Sequence, residues 1–303
     1  MTKVAFIGLG IMGSHMAAHI QQAGHLFAVY NRSKEKAKPF TDKGATYFDT
    51  PAEAAKEAEV VITMVSTPEA VTEVSVGEKG LLKTLKKGSI WVNTSTINPS
   101  FAEKLAKAAQ EKGIRYLDAP VAGSKIPAQK AELNFLIGGE QADLESVKNI
   151  LSLMGKNITH FGTYGKGSAM KLAINAMLAQ ALLAFSESVS FAESLGLPKD
   201  KVMQVLSSGI VGAPVLGMKK DKMQAGDYEP EFPLQWMHKD LHLTAVTAFE
   251  QQHPMPLLNA AKEVYAVAEK MGWGSKDFAA VYNVYEHKKA DKKSLENKKE
   301  FSN

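Results

Sequence analysis

The sequence contains no cysteine, which excludes disulfides, zinc–thiolate sites, iron–sulfur clusters and thiol nucleophiles. It also lacks the run of roughly twenty uninterrupted apolar residues that a membrane span needs. Arginine is scarce, because only Arg32 and Arg115 are present. The chemistry of this chain therefore rests on oxygen and nitrogen groups or on a bound cofactor, and we expect a cytoplasmic protein with no membrane partner.

A strong charge of either sign is missing too. The 36 basic and 32 acidic residues leave a formal net charge of +4, and most of this surplus comes from the lysine-rich tail at 287–303. The rest of the chain is nearly neutral and shows no basic footprint of a nucleic-acid-binding protein. We predict that the tail is a solvated chain end and that the protein binds no nucleic acid.

The 303 residues, 45% of them hydrophobic, form one large or two medium globular domains. Up to residue 164, β-branched or aromatic runs alternate with helical segments, which predicts a doubly wound, mostly parallel α/β sheet. The strand pattern then stops, and an all-α domain is predicted over 165–303. The predicted strands are Lys3–Ile7, Leu26–Tyr30, Val60–Val65, Ser89–Asn93, Arg115–Asp118 and Leu133–Gly138.

The predicted all-α domain opens with a long helix at Ser168–Leu195. This segment contains no internal glycine or proline and is apolar on nearly all sides, so we expect it to be buried between domains or subunits. The other predicted helices are Gly13–Ala23, Lys34–Lys43, Pro51–Lys56, Pro99–Lys112, Gln141–Met154, Lys199–Ser207, Phe232–Gln251, Leu257–Met271 and Asp277–Glu286.

A glycine motif joins the first predicted strand directly to the first predicted helix. In a GxGxxG sequence at this place, the first glycine allows a tight turn, the second lets the backbone approach a pyrophosphate, and the third lets helix and strand pack closely. The alternative is a glycine-rich turn without a ligand. The motif predicts a Rossmann-type dinucleotide-binding domain over 1–164, with cofactor contacts from Gly8, Leu9, Gly10, Ile11, Met12 and Gly13 and from Met64 and Val65 at the end of another strand.

The residues after the second strand bear on which dinucleotide binds. An NAD enzyme usually carries Asp or Glu there, whereas this chain has Asn31, Arg32 and Ser33. The planar fork of an arginine suits a 2′-phosphate, and Asn31, Ser33 and Lys36 can add contacts. NADP(H) is therefore favoured, and NAD(H) stays possible. The alternative is that Arg32 is a solvated loop residue.

Lys171 lies one turn into the long apolar helix, where an unpaired ammonium is costly to bury. Asn175 follows one turn later on the same face and can orient the lysine or contact a substrate oxygen. A buried lysine has a lowered pKa and can give a proton to a carbonyl oxygen that is being reduced. The alternative is a lysine that extends out to solvent at the helix start.

Three further segments carry polar groups. The loop containing Ala122, Gly123 and Ser124 follows a predicted strand, and its amides and hydroxyl can hold a carboxylate, although a plain turn is the alternative. Lys239 and Asp240 are adjacent opposite charges, a pattern more typical of a solvated pair than of a site. The pairs His15/His19 and His238/His242 lack a third ligand, so no metal site is expected.

Taken together, the motifs resemble the β-hydroxyacid dehydrogenase family, which includes 3-hydroxyisobutyrate dehydrogenases and glyoxylate/succinic semialdehyde reductases. The resemblance implies that Lys171 is the catalytic acid/base and that Asn175 assists it. It also implies that Thr96 and Lys239 contact the cofactor, that Phe232 and Asp240 lie near the substrate, and that the long helix supports a homodimer or homotetramer. The motifs are residues 4–13, Asn93-Thr94-Ser95-Thr96, Asp118-Ala119-Pro120-Val121, Gly165-Lys166-Gly167-Ser168-Ala169-Met170-Lys171 and Lys239-Asp240.

Residues 31–33 and 123–128 most resemble the NADPH-dependent glyoxylate/succinic semialdehyde reductase branch. The chain departs from the family at Ala122, where a serine usually binds the substrate carboxylate. The sequence thus predicts an NADPH-dependent reductase of small aldehyde acids. Two alternatives are an NAD(P)-dependent 3-hydroxyisobutyrate-type dehydrogenase working in the oxidative direction and a catalytically silent NADP-binding scaffold.

Overall fold

The computed structural model describes residues 1–286, and the predicted solvated tail at 287–303 lies outside the described residues. The chain divides into two compact units. Unit 1 comprises Met1–Ala176 and Lys239–Leu258, and unit 2 comprises Met177–His238 and the chain from Asn259 onward. The division falls inside the long helix, at Ala176, whereas the sequence pattern changes at residue 165.

Unit 1 contains a nine-stranded sheet whose first six strands in space, β3-β2-β1-β4-β5-β6, are all parallel. Strand β8 joins β6 antiparallel, and it also pairs with β7 antiparallel and with β9 in parallel. The predicted doubly wound sheet is confirmed. The strands are β1 (Val4–Ile7), β2 (Leu26–Tyr30), β3 (Thr46–Tyr47), β4 (Val60–Thr63), β5 (Ile90–Asn93), β6 (Arg115–Asp118), β7 (Val121–Ala122), β8 (Leu133–Gly139) and β9 (Gly155–His160).

Both faces of the sheet are covered, so the central strands β1, β4 and β5 are buried at every position and are mostly apolar. In β1, Val4 and Phe6 pack into the core on one face, whereas Ala5 and Ile7 pack into the core on the other. The strand order reverses between β1 and β4, so the carboxyl ends of these two strands border the crevice where open α/β sheets bind ligands.

Seven helices cover the sheet within unit 1, and an eighth begins there. Thr50 and Thr67 each precede a proline and accept a backbone N–H of the first turn, which starts α3 and α4. The helices are α1 (Gly13–Gln22), α2 (Lys38–Thr41), α3 (Pro51–Ala55), α4 (Pro68–Ser75), α5 (Pro99–Gln110), α6 (Lys125–Gln129), α7 (Gln141–Leu151) and α8 (Lys166–Ser194), with 3₁₀ turns at Lys34–Ala37 and Leu81–Lys83.

Helices are the main elements in the described residues of unit 2, beside loops and an isolated bridge between Pro233 and Asp277. Helices α8, α11 and α12 each run from one unit into the other. Within unit 2, the buried Lys219 forms ion pairs with Glu231 and Asp277 at 2.9 and 3.1 Å. The remaining elements are α9 (Lys199–Ser208), α10 (Pro214–Ala225), α11 (Leu234–Glu250), α12 (Pro256–Ala268), a π-helical turn at Glu269–Trp273 and a 3₁₀ helix at Phe278–Val284.

Helix α8 is long and apolar enough, with a mean hydropathy of 1.4, to cross a membrane by length and composition alone. Half of its most apolar window is buried inside the protein. Met177 and Phe191 are nevertheless 74% and 65% exposed. The helix is therefore only partly buried within one chain, although its composition is apolar on all sides.

The sequence pattern missed three strands, β3, β7 and β9, and three α-helices, α4, α6 and α10. Strand β9 is an edge strand with mostly exposed polar residues, so it lacks the alternation that marks a half-buried strand. Start signals for α4 and α10 are present, since Pro68 and Pro214 occupy the first helical position. A helix start signal without a long apolar repeat did not lead to a helix prediction for either segment.

Candidate active site

The glycine turn lies at the carboxyl end of β1, and two of its glycines are required by the fold. Gly8 has a left-handed φ of +103°, and a Cβ there would overlap the Met64 carbonyl oxygen after β4. A Cβ on Gly13 would overlap the carbonyl oxygen of Gly8. Gly10 differs, because its missing Cβ would meet nothing within 4 Å. The second glycine therefore faces open space, as the approach of a pyrophosphate requires.

The start of α1 presents unpaired backbone donors to this space. Among the described residues, the N–H groups of Ile11, Met12 and Gly13 donate to no acceptor. Amides at a helix N-terminus point along the axis toward a bound anion, and the helix dipole favours negative charge there. The turn thus fits the pyrophosphate of a nicotinamide dinucleotide, and it fits by backbone shape and not by a charged side chain.

Asn31 connects the glycine turn to the loop that follows β2. Its Oδ1 accepts the N–H of Leu9 at 2.9 Å, and its Nδ2 donates to the carbonyl oxygen of Ser33 at 2.9 Å. The amide of Asn31 is therefore engaged inside the protein. Arg32 and Lys36 are exposed, and Arg32 makes no hydrogen bond or ion pair within residues 1–286. The guanidinium of Arg32 is free to bind an anion.

The loops after β4 and β5 are held together by buried polar groups. The Val65 N–H donates to the Ser95 Oγ at 3.0 Å. The Asn93 Oδ1 accepts the Thr63 hydroxyl at 2.9 Å and the Ser95 N–H at 3.2 Å. These bonds fix the backbone that leads to Thr96. The sequence analysis gave Asn93 no role, although an amide side chain at the end of an otherwise apolar strand is a signal that could have found it.

Asp118, at the end of β6, fixes the start of α8. Its two carboxylate oxygens accept the N–H groups of Gly165 and Ser168, each at 2.8 Å. Burial raises the pKa of Asp118 to about 6 against the opposing effect of these hydrogen bonds. A Cβ at Gly138 would strike this carboxylate, and one at Gly167 would overlap the Leu136 carbonyl oxygen. The glycines around the helix start therefore permit close packing on the sheet.

Lys171 lies one turn into α8 and is only 9% exposed. The prediction of a buried lysine is therefore confirmed, and the alternative of a side chain extended into solvent is wrong. Its ammonium makes no hydrogen bond or ion pair with any described residue. Burial lowers the pKa of Lys171 to about 8, while the charge of Asp240 opposes this change and that of Lys239 adds to it.

Asn175, Asp240, Lys239 and Thr96 form a continuous chain of contacts beside Lys171. The Asn175 Nδ2 donates to the Asp240 Oδ2 at 2.6 Å. The Asp240 Oδ1 lies 2.7 Å from the Lys239 Nζ, which donates to the Thr96 carbonyl oxygen at 3.1 Å. The solvated pair that adjacent charges suggest is wrong here, because the two side chains are 15% and 2% exposed. Unit 1 thus brings these residues together.

The predicted carboxylate-binding loop begins with the short strand β7. Gly123 has φ +128°, and a Cβ there would crowd Leu133 and Pro127 at 2.9 and 3.1 Å. The Ser124 side chain caps no backbone N–H of the helix α6 that follows it and makes no hydrogen bond within residues 1–286. Ala122 is half-buried and offers no hydroxyl. The serine hydroxyl in this loop is therefore unengaged and two positions later than in the family pattern.

Phe232, predicted to lie near the substrate, belongs to unit 2. Its ring packs against that of Phe278 with a centroid separation of 5.6 Å. Its backbone N–H donates to the Asp277 Oδ2 at 3.3 Å. Its role toward a substrate stays a prediction.

Two family models match consecutive segments of the chain. The NAD binding domain of 6-phosphogluconate dehydrogenase matches residues 3–162, and the NAD-binding domain of NADP-dependent 3-hydroxyisobutyrate dehydrogenase matches residues 165–285. The first match covers the sheet with its glycine turn, and the second covers Lys171 and the helices after it. The two matched segments meet at the point where the strand pattern of the sequence ends.

Relatives and solved structures agree with these matches. The chain is 33% identical to glyoxylate/succinic semialdehyde reductase 2 of Arabidopsis thaliana, over 92% of this chain and 78% of that protein. It is 35% identical to the mitochondrial 3-hydroxyisobutyrate dehydrogenase of Drosophila melanogaster, over 95% and 90% of the two chains. The Mycobacterium tuberculosis 3-hydroxyisobutyrate dehydrogenase with L-serine superposes with a TM-score of 0.86 at 29% identity, covering 95% of this chain and 100% of that one.

The glycine turn, the buried lysine and these similarities over nearly the whole chain lead to one assignment. The chain belongs to the β-hydroxyacid dehydrogenase family and is an NAD(P)-dependent oxidoreductase that acts on hydroxyl groups.

Proposed function

We propose that this protein is an NADPH-dependent reductase of small aldehyde acids of the glyoxylate or succinic semialdehyde type, with Lys171 as the proton donor. The observation that carries the proposal is the buried, unpaired Lys171, whose pKa is lowered to about 8. At neutral pH this ammonium is charged and is a much stronger acid than a lysine in water. It can therefore release a proton to a substrate oxygen during the reaction.

The tasks of the reaction divide between cofactor and protein. When bound, NADPH supplies the hydride that reduces the aldehyde carbon. Lys171 holds its proton near the carbonyl oxygen and donates it as negative charge develops there, which is general acid catalysis. Asn175 orients Lys171 from one turn further along the same helix. The amides of Ile11, Met12 and Gly13 would hold the pyrophosphate.

The preference for NADP(H) rests on the loop after β2. Asn31 uses its amide to hold Leu9 and Ser33, which leaves Arg32 as the exposed cation at the position where NAD enzymes carry a carboxylate. A guanidinium binds a phosphate through two parallel hydrogen bonds. The absence of an acidic residue here also removes the repulsion that a 2′-phosphate would otherwise meet.

The substrate carboxylate is assigned to the loop at 122–124. Ala122 replaces the family serine, but the Ser124 hydroxyl is unengaged and can donate to a carboxylate. A hydrogen bond to a charged group contributes about 1.5–3 kcal/mol, so a serine at either position makes a measurable difference to substrate binding.

The test is oxidation of NADPH, followed by absorbance, with glyoxylate, succinic semialdehyde, methylmalonate semialdehyde and tartronate semialdehyde as separate substrates. NADH is run in parallel. Turnover of glyoxylate or succinic semialdehyde with a lower KM for NADPH than for NADH supports the proposal. Binding of NADPH without turnover of any of the four contradicts the substrate class, and a lower KM for NADH contradicts the role of Arg32.

A second candidate is an NAD(P)-dependent dehydrogenase that oxidises a β-hydroxy acid. It is favoured by the similarity to proteins named 3-hydroxyisobutyrate dehydrogenase, including the M. tuberculosis structure. In this direction Lys171 must be neutral to accept the hydroxyl proton, which its lowered pKa allows in mildly alkaline solution. Reduction of NAD⁺ or NADP⁺ with 3-hydroxyisobutyrate, compared with the reductive panel, separates the two candidates.

Self-association is part of the proposal, because α8 exposes Met177 and Phe191. Large apolar side chains that share an exposed helix are a usual feature of subunit contacts. Light scattering after size-exclusion chromatography is expected to show a dimer or tetramer. Replacement of Met177 by glutamate is expected to shift the mass toward the monomer, and a monomeric parent protein would contradict the expectation.

A further inference from the structure

Asn175 has one end of its side-chain amide fixed and the other end free. Its Nδ2 donates to Asp240, whereas its Oδ1 is buried and has no hydrogen-bond partner among the described residues. An ionised carboxylate only accepts hydrogen bonds, so Asp240 can hold the nitrogen end of the amide and not the oxygen end. A buried carbonyl oxygen without a hydrogen-bond donor destabilises the folded protein, so such an oxygen usually has a donor as its partner.

A hydrogen-bond donor of the matching kind lies on the same helix. Lys171 lies four residues before Asn175, on the same face of α8, and its ammonium also makes no hydrogen bond within residues 1–286. An acceptor without a donor and a donor without an acceptor thus share one face of the helix. An aldehyde substrate has no proton to give to this acceptor, whereas the Lys171 ammonium has three.

We propose that Asp240 is a positioning residue that sets the orientation of the Asn175 amide and thereby aims its carbonyl oxygen at Lys171. This inference rests on the proposed function, because it assigns how that site keeps its proton donor in place. Both groups are unpaired in the described residues, and once the ammonium donates one N–H to the Asn175 oxygen, another remains for the substrate oxygen. If the amide were reversed, its NH₂ group would face the ammonium and the contact would be repulsive.

Asp240 is itself held from the other side. The Lys239 Nζ lies 2.7 Å from its Oδ1 and donates to the Thr96 carbonyl oxygen, which follows β5. The orientation of Asn175 is therefore tied to the loop at the carboxyl edge of the sheet. The charged groups that shift the pKa of Lys171 within the described part are Asp240 and Lys239, and Lys239 also contributes to lowering the pKa of Glu69.

Three variants and one control test the proposal on the full chain. Asp240→Asn removes the charge but keeps an oxygen that can accept the Asn175 N–H, whereas Asp240→Ala removes both. Lys239→Met removes the opposite charge. Asp42→Asn is the matched control, because it breaks the exposed ion pair of Lys38 and Asp42 far along the sequence from this helix.

The first readout is independent of turnover. The Lys171 ¹³Cε resonance, assigned by its loss in Lys171→Ala, is titrated in the apo protein. The midpoint is expected to fall in both Asp240 variants, to rise in Lys239→Met and to stay unchanged in Asp42→Asn. Exchange of the Asn175 side-chain amide protons with water is expected to accelerate in Asp240→Ala and not in Asp240→Asn. A role limited to general stability would move the midpoints of the Asp240 and Lys239 variants in the same direction.

The second readout is kcat/KM for reduction at pH 6.5, where Lys171 is protonated in every variant. Loss of one hydrogen bond to a charged group corresponds to about 10- to 100-fold, and this loss is expected for Asp240→Ala but not for Asp240→Asn. Wild-type amide exchange and wild-type kcat/KM in Asp240→Ala would overturn the proposal. If the wild-type protein turns over none of the aldehyde acids, the proposed function fails, and the resonance titration and amide exchange still decide the role of Asp240.

Discussion

The lowered pKa of Lys171 leads to a pH profile that differs for the two directions of the reaction. Reduction needs the protonated ammonium, so kcat/KM for the aldehyde is expected to be constant below pH 8 and to fall above it. Oxidation needs the neutral amine, so kcat/KM for the hydroxy acid is expected to rise up to pH 8 and then to level off. The two curves share one pKa, because the same group of the free enzyme serves both.

The size of the expected change in reduction rate with pH follows from the surroundings of Lys171. Burial lowers its pKa from 10.5 to about 8, which corresponds to roughly 3 kcal/mol of destabilisation of the charged form. Between pH 7 and pH 9 the protonated fraction of a group with this pKa falls about tenfold, whereas an ordinary lysine stays almost fully protonated. Reduction is therefore expected to slow by about tenfold over these two pH units.

The assay is initial-rate kinetics over pH 6 to 10 in buffers of constant ionic strength, with NADPH and the best aldehyde of the panel. Lys171→Met is expected to lose about 10²- to 10⁴-fold in kcat/KM, the usual contribution of a general acid. Lys166→Ala is the matched control, because Lys166 is an exposed lysine in the first turn of the same helix. Its variant is expected to keep both the rate and the profile of the wild-type protein.

Two results would refute this reasoning. A reduction rate that stays constant to pH 10 would show that reduction does not depend on a protonated group with a pKa near 8. A Lys171→Met variant with wild-type kcat/KM would show that the proton comes from elsewhere.

Four other substitutions test the cofactor and substrate contacts. Arg32→Ala is expected to weaken NADPH binding by about 10- to 100-fold and to leave NADH binding unchanged, as measured by fluorescence titration, because only the phosphate contact is lost. Gly10→Ala is expected to weaken cofactor binding and leave the Tm unchanged, since its Cβ meets only open space. Gly13→Ala is expected to lower both the cofactor affinity and the Tm, since its Cβ overlaps the carbonyl oxygen of Gly8. Ala122→Ser is expected to raise kcat/KM for a carboxylate substrate by about tenfold or more, and an unchanged or lower value would place the carboxylate elsewhere.

The glycine turn could be predicted from sequence because its requirements are local. Gly8 needs a left-handed φ, and Gly13 needs close contact with a carbonyl oxygen five residues earlier in the chain. Both conditions arise within one strand–turn–helix unit, so a short motif contains the information. The parallel sheet could be predicted for the same reason, since β1 is apolar at every position and β4 at all but its last, Thr63.

The contacts that organise α8 could not be predicted in this way. Asp118 accepts N–H groups that lie 47 and 50 residues later in the chain, and Asn175 donates to a residue 65 positions away. The spacing of apolar residues within one segment carries no information about hydrogen bonds between segments so far apart in the chain. Adjacent charges at Lys239 and Asp240 resemble a solvated pair in sequence, and only the fold shows that both side chains are largely buried.

The same limit applies to the chemistry of Lys171. Its position on an apolar helix is visible in the sequence, but its strength as an acid depends on opposing effects from distant residues. Burial and Lys239 lower its pKa, whereas Asp240 opposes them. Without Asp240 the ammonium would lose its proton nearer to neutral pH, and without burial it would be too weak an acid to help the reaction. The carboxylate that holds Asn175 therefore also keeps the lysine charged over the pH range in which a reductase needs it.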